Sequence, residues 1–267
     1  MDDYRYVDDH TGLGSAVVSK TDFQQAVGRL ASVLCFVVMT NILYAQAPAV
    51  DGDQLGAWYM YFFSSDFDTG VQDNTAKGVW GVQGDVQLRQ WNIAGDLEQS
   101  LLRGGVRYSP ASISGIYTLG YAHITTGQFG SDFDGTTQES RIYQEAFLPH
   151  RLSDQLQLTH RFRYEQRFVE GQDFRTRYRY NLFLNVPFNG IRLSKGVYYA
   201  ALYNELFING QREIGEGRSV QFFDRNRTYV GLGYGLSDRL RMQLGIMRQT
   251  TVSWAKNQLQ FSLHHAW

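Results

Sequence analysis

The chain has 267 residues, with 25 basic against 26 acidic side chains and a formal net charge of −1; its length suits one domain or at most two, and it carries no long-range field for nucleic acid. Seventeen Tyr, 17 Phe, 5 Trp and 27 Gly accompany only 4 Pro, while mean hydropathy stays mildly polar at −0.34. That balance is foreign to a soluble helical enzyme and suits a sheet with one face against lipid and the other against water.

Residues Leu30 to Tyr44 read LASVLCFVVMTNILY, an apolar run preceded by Lys20 and Arg29 and followed by Ala45-Gln46-Ala47. Basic flank, apolar core and small-residue triplet together fit a cleavable export signal. The run is shorter than the roughly 20 residues a helix needs to cross a hydrocarbon core, which argues against a retained anchor. Residues 29–47 are therefore read as a signal peptide. Residues 1–28 form an N-terminal extension without periodicity, unstructured or an over-extended start, and 48–267 form the folded part. The sole cysteine, Cys35, falls inside the signal, which excludes disulfides, thiolate catalysis and cysteine-bound metals from the mature chain.

Beyond Ala47, period-two alternation recurs in segments of about ten residues bounded by Gly, Asn, Asp or Ser. In chain order the segments run Leu55 to Phe63, Val79 to Trp91, Leu97 to Tyr108, Gly115 to Thr125, Glu139 to Leu148, Leu156 to Phe168, Arg175 to Val186, Val197 to Phe207, Arg225 to Leu236, Leu240 to Gln249 and Asn257 to Trp267. The sixth is the clearest: Leu156, Leu158, His160, Phe162, Tyr164 and Phe168 share one face, and Gln157, Thr159, Arg161, Arg163, Glu165 and Arg167 the other. The apolar faces hold aromatics near strand ends, as interfacial girdles do, where a soluble sandwich would pack Val, Ile and Leu. The fold class is an all-β, antiparallel, up-and-down transmembrane barrel. Eleven segments conflict with the even strand number of bacterial single-chain barrels, so twelve strands are expected, ten being the alternative, with the missing one hidden in residues 64–78. Counted back from a periplasmic C-terminus, connections 250–256, 208–224, 169–174 and 126–138 fall outside and the shorter 237–239 and 149–155 inside.

The last segment, NQLQFSLHHAW, sets Leu259, Phe261, Leu263, His265 and Trp267 on one face. Its terminal aromatic looks like the signal read by the barrel-assembly machinery, and Trp267 is taken as the barrel-closing terminal residue.

Several blocks carry a family resemblance: LGAWYMYF from Leu55, DLEQSLLRGGVRY from Asp96, ESRIYQEAFL from Glu139, HRFRYEQRF from His160, RTRYRYNLFLNVP from Arg175, YNELFIN from Tyr203, FDRNRTYVGLGYGL from Phe223 and NQLQ from Asn257. In order and spacing the chain resembles the domain of unknown function 2490 family, predicted outer-membrane barrels of Bacteroidetes-type bacteria. It departs from the expected pattern in its long leader and in the stretch from Ser64 to Lys77. The resemblance implies a barrel fold and a Gram-negative outer-membrane location, reached by export through the periplasm; it implies no activity.

Inward faces are expected to carry Asp85, Arg89, Arg103, Arg107, Arg141, Glu145, Arg161, Arg163, Glu165, Arg167, Arg175, Arg177, Arg179, Glu205, Arg225, Arg227 and Arg241. Arginine exceeds carboxylate, so the lumen is expected to be electropositive. A hairpin centred on Gly171 sets Glu165 beside Arg177 and Arg163 beside Arg179. The second, like-charged pair needs Glu205, Glu145, water or an anion between its members. Two readings of this lumen stay open: a salt-bridge network that stiffens a narrow barrel, and an anion-favouring site or pore for a small solute. A hydrolase is the third class, with His150, Ser153 and Asp154 as the nearest trio, although Ser and Asp are ordinary turn residues. Asp66, Asp68, Asp73, Asp132 and Asp134 could hold surface Ca²⁺, but solvated loops share that composition. GLGYG at Gly231 falls on a strand, where close packing explains it better than phosphate binding. No cofactor and no resident metal are implied; the partners expected are outer-membrane lipid and the assembly machinery around a monomer.

Overall fold

The computed structural model describes residues 50–67, 78–129, 135–153 and 156–267. Residues 1–47, read above as an N-terminal extension and a signal peptide, lie outside them. Regular structure among the described residues is all β, in eleven strands: β1 (Gly56–Asp66), β2 (Val79–Gln90), β3 (Leu97–Ser109), β4 (Ile116–Gly127), β5 (Thr136–Arg151), β6 (Gln157–Val169), β7 (Arg175–Pro187), β8 (Tyr198–Asn209), β9 (Phe223–Gly235), β10 (Leu240–Thr250) and β11 (Ala255–Ala266). They close into one barrel.

The expectation of twelve strands is corrected, as is the alternative of ten. Consecutive strands pair antiparallel, and the ring is completed by β1 against β11 in parallel, from Gly56 opposite Gln258 to Ser64 opposite Ala266. An otherwise antiparallel ring with an odd number of strands must contain one pair that runs the same way. The parity argument assumed that both termini leave by one mouth, whereas β1 starts at the mouth opposite the one where β11 ends. Ser64, Ser65 and Asp66, where an extra strand was sought, extend β1; residues 68–77 are outside the described part.

Parallel pairing is slightly weaker per residue than antiparallel, and this seam is reinforced on both faces. Inside, Phe62 stacks on His264 with ring centroids 4.8 Å apart. Outside, Tyr61 Oη lies 2.9 Å from His265 Nδ1, and Phe63 stacks on Trp267 at 5.8 Å. The Trp267 backbone N–H donates to Ser64 O at 2.9 Å, a contact from beyond β11 onto β1.

Side-chain alternation follows the pleat. On β11, Lys256, Gln258, Gln260 and Ser262 are buried in the lumen, while Leu259, Phe261, Leu263, His265 and Trp267 share the outer face. The outer wall is apolar and bare: Leu102, Leu119 and Val230 are each 59% exposed and Leu232 64%. Aromatics gather where the strands reach the Trp267 mouth, with Trp80 against Tyr108 at 4.7 Å and Tyr198 against Tyr234 at 4.6 Å.

Both mouths are partly capped by chain. At the mouth where β1 starts, Lys256 Nζ donates to Asp51 O at 2.8 Å and also to Gln54 O, tying residues 51–54 to the start of β11. At the other, the 188–197 connection folds back so that Leu193 packs against lumenal Trp58, Tyr199, Ala201, Tyr229 and Met247. The long-outside, short-inside pattern is thus weaker than expected, because that connection spends its length on covering the bore. Glycines of the GLGYG run make room for this packing: a Cβ at Gly233 would overlap the Tyr199 ring. Gly171, at φ +66°, makes the β6–β7 turn.

Candidate functional site: an arginine-belted lumen

The lumenal charges come from residues of one parity on β2, β3 and β5–β9, so the belt is a direct product of alternation in strands that also present apolar residues to the outside. The β6–β7 register sets Glu165 opposite Arg177 and Arg163 opposite Arg179, as the hairpin required. The like-charged pair is relieved by three carboxylates. Arg163 Nε donates to Glu145 Oε2 at 2.6 Å, Arg179 Nε to Glu205 Oε1 at 2.9 Å, and Arg179 Nη1 to Glu165 Oε1 at 2.6 Å. Arg163 Nη1 also stands 3.8 Å from that Glu165 oxygen. Arg177 completes the node, donating to Glu165 Oε2 at 2.7–2.9 Å. Arg161 donates to Glu205 and lies 3.6 Å from Glu145. Each of these carboxylates is at most 5% exposed, so the pairs sit in a region where an unpaired charge is costly.

Three further carboxylates serve arginines of the belt. Asp85 holds Arg103 at 2.8–3.0 Å. Glu139 holds both Arg141 and Arg167, each through a 2.6 Å Nε contact. Asp224 takes Arg177 at 2.7 Å and Arg225 at 3.2 Å. Arg107 stands apart, pairing with the exposed Asp66 near the Trp267 mouth. Arg241 is also away from the belt, opposite His264 on β11. Arg175 is buried but forms no ion pair among the described residues, and its Nε has no hydrogen-bond partner.

Three carboxylates of the lumen, Glu98, Asp224 and Glu139, were not anticipated, and the first two owe their position to a β-bulge. In the β2–β3 ladder Arg89 pairs with Gln99 and Gln90 with Leu97, which leaves Glu98 as the extra residue. In the β8–β9 ladder Phe207 pairs with Arg225 and Ile208 with Phe223, which leaves Asp224. An extra residue breaks the strict alternation, so Glu98 joins Gln99 and Asp224 joins Arg225 inside. Glu98 Oε2 accepts from Trp58 Nε1 at 2.8 Å and from Gln258 Nε2 at 3.1 Å. The consecutive polar residues Glu98-Gln99 and Asp224-Arg225-Asn226-Arg227 are the local signal of these bulges. Glu139 was also missed, although it shares the parity of Arg141.

Aromatic faces carry part of the cationic load. Arg177, Arg179 and Arg227 lie 5.2, 4.5 and 4.7 Å from the centroid of the buried Phe207 ring. Arg89 lies 3.8 Å and Arg227 4.7 Å from the Trp58 ring. With Arg175, these two arginines are the least compensated of the belt. Arg89 donates to amide oxygens, Gln87 Oε1 at 2.7–3.1 Å and Gln99 Oε1 at 2.8 Å, and makes no ion pair among the described residues. Arg227 Nε donates to Gln249 Oε1 at 2.7 Å, and its ion pair is with Glu205 at 3.8 Å. Within the belt is a cavity of about 40 Å³, and eight of its eleven lining residues are arginine, with no carboxylate among them.

Of the proposed hydrolytic trio, His150 stacks on His160 at 5.7 Å and Ser153 Oγ accepts from the Leu156 N–H at 3.1 Å; Asp154 lies outside the described residues. A different serine–histidine contact exists in the lumen, Ser262 Oγ to His264 Nε2 at 3.0 Å, with no carboxylate among the described residues hydrogen-bonded to the ring. Asp66 is engaged by Arg107, and the other aspartates weighed for calcium are not described. The described residues hold no group of three or more His, Cys, Asp or Glu placed to hold a metal ion.

The profile of the family described as protein of unknown function (DUF2490) matches residues 55–260, and the chain belongs to that family. No curated protein matches it.

Proposed function

We propose that this member of the DUF2490 family is a monomeric barrel of the Gram-negative outer membrane with an occluded lumen. Its role is structural before it is solute passage. The observation that carries the membrane reading is the inversion of the two surfaces. Leu232 is 64% exposed on the outside, while Arg177 and Glu165 are 3% and 1% exposed inside. A barrel in water would leave that apolar wall unsatisfied, whereas in lipid it is the required surface. The aromatic ring at the Trp267 mouth supports an interfacial girdle. The signal read at 29–47 fits export, and Trp267 beside the closing strand fits handling by the assembly machinery.

Occlusion rests on the ion-pair network, the aromatic cluster below it and the small residual cavity. A passage reading, for small anions, is favoured by one thing: the excess of arginine over carboxylate. Two measurements separate these readings. The protein should float with outer-membrane markers on a density gradient and resist carbonate extraction; recovery as a soluble periplasmic species refutes the membrane placement. Planar bilayers containing the refolded chain should stay sealed, and a steady open conductance with anion preference would replace occlusion by passage.

A further inference from the structure

We propose that the cavity inside the arginine belt is a binding site for one free tetrahedral oxyanion, of the inorganic phosphate or sulfate class. The inference rests on the occluded lumen proposed above and adds an occupant to it. About 40 Å³ is room for roughly three waters, which suits a compact ion and excludes an organic phosphate.

Charge points the same way. The arginines lining the cavity make their ion pairs with Asp85, Glu139, Glu165, Glu205 and Asp224, none of which lines it. Arg89, 5% exposed, has only amide oxygens and the Trp58 face. Arg225 Nε is buried without a hydrogen-bond partner. The eight arginines that line the cavity share those five carboxylates, and an excess of buried positive charge around one small space is the arrangement that a multiply charged oxyanion relieves. The planar guanidinium fork matches tetrahedral oxygens two at a time. Gln99 and Gln87 take the hydrogen bonds of Arg89 without bringing a charge, so the carboxylates that act on it, Glu98 and Asp85, do so only through space.

The test is calorimetric titration of the full chain in a non-phosphate detergent and chloride-free buffer, with inorganic phosphate as probe and sulfate as competitor. One saturable site per chain is expected, displaced by sulfate. Arg89→Gln should weaken it at least tenfold. Should that variant not fold, Gln99→Glu is informative, because it sets a carboxylate where Gln99 Oε1 now meets Arg89 at 2.8 Å and should abolish binding in a folded barrel. Arg218→Gln, on the exposed 210–222 loop, should bind as the parent does. No saturable binding, or equal affinity in Gln99→Glu, overturns the site. Competition by a short-chain phosphatidate as strong as that by sulfate overturns it too, since a lipid headgroup cannot enter so small a space. Bilayer recording on the same preparation reads occlusion separately: a sealed barrel that binds no oxyanion refutes the site alone, and a conducting one refutes the occlusion on which the site rests.

Discussion

Removing the Glu165 charge is the sharpest perturbation of the lumenal network. Glu165 is 1% exposed, holds Arg177 and Arg179 through contacts of 2.6–2.9 Å, and has Arg141 and Arg163 at 3.8 Å. Deleting one member of a buried pair costs about 3–5 kcal/mol, because the partner is left charged and unpaired. Here Arg177 keeps Asp224 and Arg179 keeps Glu205, so Glu165→Gln should fall at the lower end, about 3 kcal/mol. With an unfolding slope of roughly 3 kcal/mol per molar urea, the midpoint drops by about 1 M. Urea titration of the refolded barrel in detergent, followed by tryptophan fluorescence, reads this directly. Adding Arg179→Met to Glu165→Gln should recover part of the loss, since it withdraws one of the cations that lost a partner, while Glu205 keeps Arg161; the double-mutant cycle then reports a coupling of the two residues. A Glu165→Gln midpoint indistinguishable from that of the exposed Glu216→Gln would refute the account of the lumen as an interdependent charge network.

Other predictions follow from seam, packing and topology. In a Cys35→Ser background, cysteines at Asp53 and Ser253 should react with an impermeant maleimide from the same side of sealed vesicles, and one at Ser237 from the opposite side; labelling of positions 53 and 237 from one side would contradict the parallel seam. Gly233→Val should lower stability by about 1–3 kcal/mol through overpacking against Tyr199, whereas Gly104→Ala, with nothing near the added carbon, should leave the urea midpoint in place. Trp267→Ala removes the stack on Phe63 and should weaken the barrel by about 0.5–1.5 kcal/mol beyond the lost burial; its assembly in cells should slow, and unchanged folding yield and stability would remove Trp267 from the seam's support.

How far the lumen was legible depends on the range of the signal. Arg163 opposite Arg179 could be placed from the turn at Gly171 because a hairpin register is set by its own few residues. The need for Glu145 and Glu205 beside that pair could be named for the same reason. Glu98 and Asp224 escaped, since a bulge changes parity by one residue and two polar neighbours in a row do not say which of them turns inward. That Arg89 is paired by glutamines, and Arg107 by Asp66 away from the belt, depends on how strands distant in sequence are brought across the bore.

Period-two alternation determined by itself that this chain is all-β, which residues share a face, and that arginine would dominate one of them, because the pleat is a property of each strand alone. Strand number was a different matter. Eleven segments were visible, yet an assumed common mouth for both termini argued for a twelfth. Only the tertiary structure decided that the ring closes by setting β1 parallel to β11, a contact between residues some 200 positions apart, which no local pattern encodes. The same closure brings eight guanidinium groups around one small cavity, so the feature on which an anion would act is made by the ring and not by any single strand.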